Sequence, residues 1–371
     1  MSEAEAKSVA DDAKADADDA KADDAKADDA KADDAKADAD GAPAKPPSRA
    51  RTLALFGLKV LLAGGLLTWL VRSGSLKFSA LGVLLDPPWL LVVNFGAFAL
   101  IIGLATARWR ALLGLADARL SWGRALRLHM VAVFFNTVIP GNVGGDVLKA
   151  LYVARDEDAK KRPAILLIVI LERALGLAGL LLLGGVVVAG RAGMLLERGL
   201  GTMVWSVLGL AVSSVLGLVG LTIAARLWGA ALIERTSGPS RLAKLLNQIL
   251  RGMVLLAARP SVLAIALAQS VLLHAISMGY FTLLARYIST SSVSYGDVAT
   301  VFPLGLLTIV LPISPAGFGV GHLAFDKLFA MVGLDGGATI FNVFLIGQIA
   351  GGVTGFLPYL TLKREGGHDV K

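Results

Sequence analysis

The sequence predicts an all-α polytopic membrane protein with about six full spans and two broken or re-entrant helical hairpins, hence eight or more hydrophobic segments. Hydrophobic residues make up 55% of the 371 residues. The apolar stretches after Thr52 approach the roughly 20 residues that a helix needs to cross a hydrocarbon core. Proline and glycine interrupt two stretches, and a bilayer tolerates such backbone only where protein or a wet cavity shelters it.

Residues 1–48 differ from the rest, with 15 acidic residues and 7 lysines in a repeat close to Asp-Asp-Ala-Lys-Ala. A five-residue period gives a helix no apolar face, so we expect a disordered cytoplasmic tail. An acidic arm that folds back on basic loops is the alternative. The segment lacks the apolar core of a signal peptide. A single transmembrane domain at 49–364 and a short C-terminal tail at 365–371 are expected to follow.

Six clear spans are predicted at 53–71, 88–107, 163–190, 202–225, 260–285 and 338–362. Lysine and arginine are concentrated before the first span, after the second, between the fourth and fifth, and after the last. The positive-inside rule assigns these connections to the cytoplasm. We therefore expect a multi-pass protein of a bacterial-type cell (inner) membrane, with both termini cytoplasmic.

Two further features of these connections are interpreted as interfacial. Trp109, between Arg108 and Arg110 in the loop expected after the second span, is typical of an interfacial anchor. Residues 240–258 have basic and apolar faces at helical spacing. They predict an interfacial cytoplasmic helix on anionic lipid.

The first interruption lies in residues 128–148, around Asn-Thr-Val-Ile-Pro-Gly-Asn-Val-Gly-Gly-Asp, which begins at Asn136. Five arginines precede this segment, and Lys149, Arg155 and further basic residues follow it. A hairpin that turns at Pro140-Gly141 keeps all these basic residues on the cytoplasmic side. The alternative is a full span with an ordinary proline kink.

The second interruption, Leu311 to His322, lies in an apolar stretch at about 298–333. This stretch is long enough for a re-entrant pair or for two short spans, and both of its ends are expected outside. Each interruption has a proline followed four residues later by glycine, and each follows two spans and precedes one. Such halves, 52–190 and 202–362, must have opposite orientations, as in the inverted repeats of secondary transporters. Chance similarity is the alternative.

Four charged residues near the first interruption are candidates for a polar site. The returning helix begins near Gly145, and its positive end with Lys149 suits a phosphate or carboxylate. Asp146 could cap that helix, pair with Lys149 or Arg173, or bind a cationic headgroup or a proton. Glu172 and Arg173 lie about 100° apart on a helix, so each needs its own partner. They form either a polar cavity or an ion pair that only fixes helix packing.

The predicted residues for substrate binding or translocation come from both interruptions and the span after each. Counting from the two prolines places Gln348 where Glu172 stands. No catalytic residue, metal site or cofactor is predicted, because the chain has no cysteine and four scattered histidines. The predicted residues are Asn136, Pro140, Gly141, Gly144, Gly145, Asp146, Lys149, Glu172, Arg173, Ser314, Pro315, Gly319, His322 and Gln348.

At these residues the chain resembles the membrane domain of lysylphosphatidylglycerol synthase/flippase proteins, over about residues 52–362. The resemblance implies lipid translocation; in two-part members another domain adds the amino acid to phosphatidylglycerol. No such domain is expected before the chain ends at Lys371, so we expect no enzyme. Gly321 and His322 replace the family's Arg-Glu, and a histidine suits an anionic or sugar-bearing headgroup at least as well as a cationic one. The resemblance rests on Arg108–Leu113, Asn136–Asp146 with Lys149, Leu171–Arg173 and Leu311–Val320.

The sequence thus predicts a lipid flippase-like transporter that moves a phospholipid or glycolipid headgroup across the bilayer. The alternative is a proton-coupled secondary transporter of a small anionic solute, which needs a closed vestibule where a lipid carrier needs a lateral opening. An intramembrane enzyme and a scaffold are further alternatives. Expected partners are membrane lipids, a separate lipid-modifying enzyme and a second copy of the chain, with no nucleic acid. No phosphate-binding loop for ATP occurs.

Overall fold

The computed structural model describes residues 79–138, 144–236, 238, 240–310 and 320–361, and every regular element in these ranges is a helix. A short 3-10 turn, Gly114–Ala116, extends the second helix. The α-helices are α1 (Ser79–Leu85), α2 (Trp89–Leu113), α3 (Trp122–Val138), α4 (Gly144–Arg155), α5 (Arg162–Gly190), α6 (Ala192–Glu197), α7 (Gly201–Arg235), α8 (Arg241–Ala257), α9 (Pro260–Ile288), α10 (Tyr295–Val310), α11 (Val320–Met331), α12 (Gly337–Val353) and α13 (Phe356–Thr361).

Five helical segments of the described chain are long and apolar enough to cross a membrane, which confirms five of the six predicted spans. The predicted span at 53–71 and the tails at 1–48 and 365–371 lie outside the described residues. The second span was predicted to end too early, because α2 continues through Arg108 to Leu113. The five segments are Trp89–Ala116, Arg162–Gly190, Gly201–Arg235, Pro260–Ile288 and Gly337–Thr361.

Helices α3 and α4 form an antiparallel hairpin. Arg124, near the start of α3, pairs with Asp156, directly after α4. At the other end, the Gly145 N–H donates to the side-chain oxygen of Asn136 (2.8 Å). The helices have 17 and 12 residues, or about 25 and 18 Å, short of a core of about 30 Å. The hairpin prediction is confirmed, and the single kinked span is wrong.

The second interruption also separates two antiparallel helices, α10 and α11. A Cβ at Gly305 would overlap the ring of Phe325, and one at Gly321 would lie 3.4 Å from Ile309. With 16 and 12 residues, both helices are too short for full spans, which favours a re-entrant pair. The connections 139–143 and 311–319 lie outside the described residues, and with them Pro140, Gly141, Ser314, Pro315 and Gly319.

The α3–α4 hairpin opens on the side of the protein where basic residues gather, which we call the basic side. Arg259, before α9, donates to the carbonyl oxygen of Gly114, after α2 (3.4 Å), and lies 3.9 Å from Asp117. Lys161, before α5, donates to the carbonyl oxygen of Asp117 (3.2 Å). The ends of α2, α5 and α9 therefore meet here, and α3 starts directly after this connection.

The α10–α11 hairpin opens on the opposite side. Arg191, just after α5, pairs with Asp297 in the first turn of α10 (2.6 Å). Asp335, just before α12, accepts a hydrogen bond from the Ser289 hydroxyl, just after α9 (2.5 Å). These contacts join the ends of α5 and α9 that lie away from the basic side. The two hairpins therefore enter from opposite sides, as the distribution of basic residues predicts.

Helices α2–α5 and α9–α12 form an inverted repeat. Helix α2 packs against α12 as α9 packs against α5, and α3 contacts α12 as α10 contacts α5. The closest approaches also correspond, because a Cβ at Gly179 would overlap Ser270 and a Cβ at Gly347 would overlap Asn94. Such exchange of matching contacts is the pattern of inverted-repeat transporters.

Helix α8 confirms an amphipathic helix within the predicted 240–258 segment. The Ser240 hydroxyl caps its start by accepting from the Ala243 N–H (3.1 Å). One face of α8 packs on α7, where the Asn247 amide donates to the Ile233 carbonyl oxygen (2.7 Å). Leu242 is 66% exposed on α8. Contact of this helix with anionic lipid stays a prediction.

We expect Gly145→Ala to lower the free energy of unfolding by about 1–3 kcal/mol, because the added methyl would overlap the backbone carbonyl of Ala132 and push α3 and α4 apart. Thermal or denaturant unfolding of the purified protein in detergent measures the change. Gly103→Ala in α2 is the matched control, since its Cβ would meet no atom within 4 Å. Equal stability of the two variants would contradict the close helix contact.

Candidate functional site

A buried lysine lies at the centre of a cluster of charged residues between α2, α4 and α5. Lys149 is 1% exposed, and its Nζ lies 2.8 Å from Glu172 Oε2 and 3.2 Å from Asp146 Oδ1. The ammonium also lies over the ring of Trp109, 4.9 Å from the ring centroid. Two carboxylates and an indole thus surround one cation inside the membrane domain.

Two arginines extend this cluster in opposite directions. Arg108 of α2 lies 3.3 Å from Glu172 Oε1, and its other terminal nitrogen donates to the hydroxyl of Ser270 on α9 (2.7 Å). Arg173 pairs with Asp146. The five residues make one continuous charge network, which consists of Arg108, Asp146, Lys149, Glu172 and Arg173.

Local helix geometry produces the network. Asp146 and Lys149 are three residues apart and therefore share one face of α4. Glu172 and Arg173 are adjacent on α5 and point in different directions, which leaves the glutamate side chain 8% exposed and the arginine side chain 45% exposed. Each has a partner from α4, which confirms the prediction of separate partners. Asp146 pairs with both Lys149 and Arg173.

The five described residues of the network carry a net positive charge, because they are three cations and two carboxylates. The positive dipole end of α4, which starts at Gly144, adds to this potential. An unpaired charge at this depth costs several kcal/mol. The contacts explain how Arg108, Lys149 and Glu172 can remain charged while buried.

Buried polar atoms without a partner lie beside the network. Arg108 Nε and His129 Nδ1 are buried and make no hydrogen bond to any described residue. His129, on α3, has its ring centroid 6.2 Å from that of Trp109 in an edge-to-face arrangement. Hydrogen-bonding capacity therefore remains unused at the centre of the site.

Arg173 opens the network to the outer surface of the helix bundle. On α5 it shares a face with three exposed apolar residues, Leu166 (39%), Ile170 (66%) and Leu177 (36%). It is the twelfth residue of the 29-residue α5, so it lies about 17 Å from the helix start. The guanidinium therefore reaches the exposed apolar face of α5 in the interior of a helix that is long enough to cross a membrane.

The second half has no matching charges at the corresponding positions. His322, in the first turn of α11, lies 3.3 Å from the side-chain oxygen of Asn342, where the first half has Asp146 and Arg173. Phe325 and Phe341 stack with centroids 4.8 Å apart, where the first half has Lys149 and Glu172. These contacts place Phe341 near the position of Glu172, whereas the count from the two prolines places Gln348 there.

The structure brings seven of the fourteen predicted site residues together, and five others, Pro140, Gly141, Ser314, Pro315 and Gly319, lie outside the described residues. Gly144 starts the helix that carries the network, and the Gly145 N–H donates to Asn136. The other two, His322 and the half-buried Gln348, lie in the second half, on α11 and α12. The residues brought together are Asn136, Gly144, Gly145, Asp146, Lys149, Glu172 and Arg173.

Sequence reasoning missed Arg108, Trp109, His129 and Ser270. The assignment of Trp109 as an interfacial anchor is wrong, because its side chain is fully buried and faces Lys149. The apolar run after Arg110, which continues the helix to Leu113, was the available signal. Among the described residues, no His, Cys, Asp or Glu group could hold a metal ion.

His274 links α9 to α5. Its Nε2 lies 2.9 Å from the carbonyl oxygen of Gly176 on α5. This contact joins α9 to α5 one turn beyond the charge network. It therefore assigns the histidine to helix packing.

We expect Glu172→Gln to destabilise the protein more than Lys149→Met does. Loss of the glutamate leaves both Arg108 and Lys149 without this carboxylate, whereas loss of the lysine leaves each acid one cation. The expected cost of Glu172→Gln is about 3–5 kcal/mol, measured by unfolding in detergent. Lys160→Met, an exposed lysine, is the control. If the double variant of Glu172→Gln and Lys149→Met loses as much free energy of unfolding as the two single variants together, the result would contradict direct coupling of the two side chains.

Comparisons with known proteins agree with this architecture. The family model described as "Lysylphosphatidylglycerol synthase TM region" matches residues 56–353. A UPF0104 membrane protein from Methanothermobacter thermautotrophicus is 32% identical over 106 residues, a segment that covers 29% of this chain and 29% of that protein. No solved structure matches the chain. With the family model covering most of its length, the chain belongs to the lysylphosphatidylglycerol synthase transmembrane-region family.

Proposed function

We propose that this protein is a non-catalytic transporter that moves the headgroup of a phospholipid or glycolipid across the bilayer. Arg173 carries this proposal: its side chain, half exposed on the apolar face of α5, belongs to a buried charge network. A lipid that reaches this face keeps its acyl chains against Leu166 and Ile170 while its polar headgroup contacts the guanidinium. Membership of the family supports a role in membrane lipid chemistry.

The position of Arg173 favours a lipid over a small soluble anion. A charged group exposed to acyl chains costs several kcal/mol unless water or a polar group reaches it. A lipid headgroup supplies that group from the side, whereas a soluble anion needs a closed aqueous vestibule. Exposed Val147 and Leu151 on α4 add to the apolar surface beside this opening.

The two hairpins supply a route for alternating access. They enter from opposite sides, and each belongs to one half of the inverted repeat. Movement of one half against the other would expose a midplane site first to one leaflet and then to the other. By the positive-inside rule, we place the basic side in the cytoplasm of a cell whose plasma membrane holds the protein.

The test is the translocation of fluorescent phosphatidylglycerol, phosphatidylcholine, lysylphosphatidylglycerol and a glycolipid in proteoliposomes, followed by quenching with external dithionite. We expect the wild-type protein to raise the rate at which inner-leaflet label becomes accessible. Asp146→Asn and Arg173→Gln should slow this rate about tenfold, which corresponds to roughly 1.4 kcal/mol at the barrier. Both substitutions break the same ion pair on the path of the headgroup.

Arg198→Gln is the matched control, because Arg198 is an exposed arginine far along the chain from the network. It should translocate lipid at the wild-type rate. Failure of wild-type protein to accelerate any phospholipid or glycolipid would overturn the proposal. Uptake of a soluble anion with no lipid movement would instead favour the proton-coupled solute transporter.

A further inference from the structure

We infer that the charge network binds an anionic lipid headgroup through its phosphate, and that Arg173 exchanges Asp146 for that phosphate. This inference rests on the proposed lipid translocation for the ligand being a lipid. It goes further by assigning the charge class of the headgroup and the residue that receives it. The sign of the network, the donors at Arg173 and the sharing of Asp146 each point to this ligand.

The sign of the network favours an anion. Both carboxylates already have two cations each: Glu172 contacts Lys149 and Arg108, and Asp146 contacts Lys149 and Arg173. A cationic headgroup would add a positive charge to a site that already has an excess of one. A headgroup with one negative charge would neutralise that excess in a low-dielectric environment.

The donors at Arg173 also favour an anion. The Arg173 side chain is 45% exposed, and arginine nitrogens only donate hydrogen bonds. The start of α4 adds backbone N–H groups at Asp146, beside the Arg173 side chain.

The exchange at Arg173 has a low free-energy cost because Asp146 has a second cationic partner. When a phosphate binds the Arg173 guanidinium, Asp146 keeps its contact with Lys149 at 3.2 Å. No buried carboxylate is then left without a cation. Arginine binds phosphate through two parallel N–H groups, a geometry that suits the Arg173 guanidinium to a phosphate headgroup. Release of the lipid restores the ion pair between Asp146 and Arg173, and no covalent bond is made or broken.

The composition of the second half indicates that the protein has one phosphate site, in the first half. Its corresponding contacts are the His322–Asn342 pair and the stacked rings of Phe325 and Phe341. At these positions the second half has neither arginine nor lysine, and its polar groups are a histidine and an amide that contact each other. We therefore assign the phosphate to the first half.

Equilibrium binding to the purified full-length protein in a zwitterionic detergent tests this inference. The probes are dioctanoyl phosphatidylglycerol, dioctanoyl phosphatidylcholine, dioctanoyl lysylphosphatidylglycerol, glycerol phosphate and inorganic phosphate. We expect phosphatidylglycerol to bind about tenfold more tightly than the zwitterionic and cationic lipids, and the two soluble phosphates to bind more weakly still. Arg173→Gln should weaken phosphatidylglycerol about tenfold, and Arg173→Lys should weaken it less. Arg198→Gln should leave all affinities unchanged.

Several results would overturn the inference. Equal or tighter binding of the cationic lysyl lipid would show that the excess charge does not select the ligand. Full affinity of Arg173→Gln would exclude the exchange at Arg173, and inorganic phosphate that binds as well as the lipid would assign a soluble anion. Thermal unfolding of Arg173→Gln near the wild-type midpoint shows that any loss of binding is not a loss of fold.

Binding and translocation are separate measurements, so the two proposals can fail independently. Proteoliposomes that move only the cationic lysyl lipid would keep lipid translocation and reject the anionic class. Selective binding of phosphatidylglycerol without any acceleration of lipid movement would keep the anionic site and reject translocation.

Discussion

A lysine ammonium that is almost completely buried fixes how α2, α4 and α5 meet. Lys149 lies between two carboxylates and an indole ring, and each of those three groups comes from a different helix. Such a cation is stable inside a membrane domain only while its partners hold their positions. The first half of the bundle is therefore organised around polar contacts, whereas the second half is organised around stacked phenylalanines.

The hairpin that carries Lys149 depends on a glycine as much as on charge. Gly145 lets α4 approach the backbone of α3, and its N–H donates a hydrogen bond to the side-chain oxygen of Asn136. This contact holds the start of α4 beside α3, and Lys149 follows one turn later. Backbone approach, helix capping and ion pairing therefore act on the same two turns of the chain.

Much of the fold could be predicted from the sequence, because apolar length and the asymmetry of basic residues are local signals. The five described spans, the antiparallel α3–α4 hairpin and the opposite entry of the second hairpin follow from them. Arg108 and Trp109 could not be placed, since arginine and tryptophan are typical of interfaces and only tertiary contacts with Glu172 and Lys149 reveal their burial. The chemical contrast between the halves was also missed, because a count of residues from the prolines carries no information about which side chains meet.

The unequal chemistry of the two hairpins has a consequence for the energetics of the whole molecule. In a repeat with identical halves, the two end states of a rocking motion would be related by a two-fold axis and would have equal free energy. Here one half holds five charges, and the other has a histidine–asparagine contact and an aromatic stack at the matching places. Under the proposed alternating access, the end states therefore differ in free energy, and the empty protein prefers to open toward one leaflet.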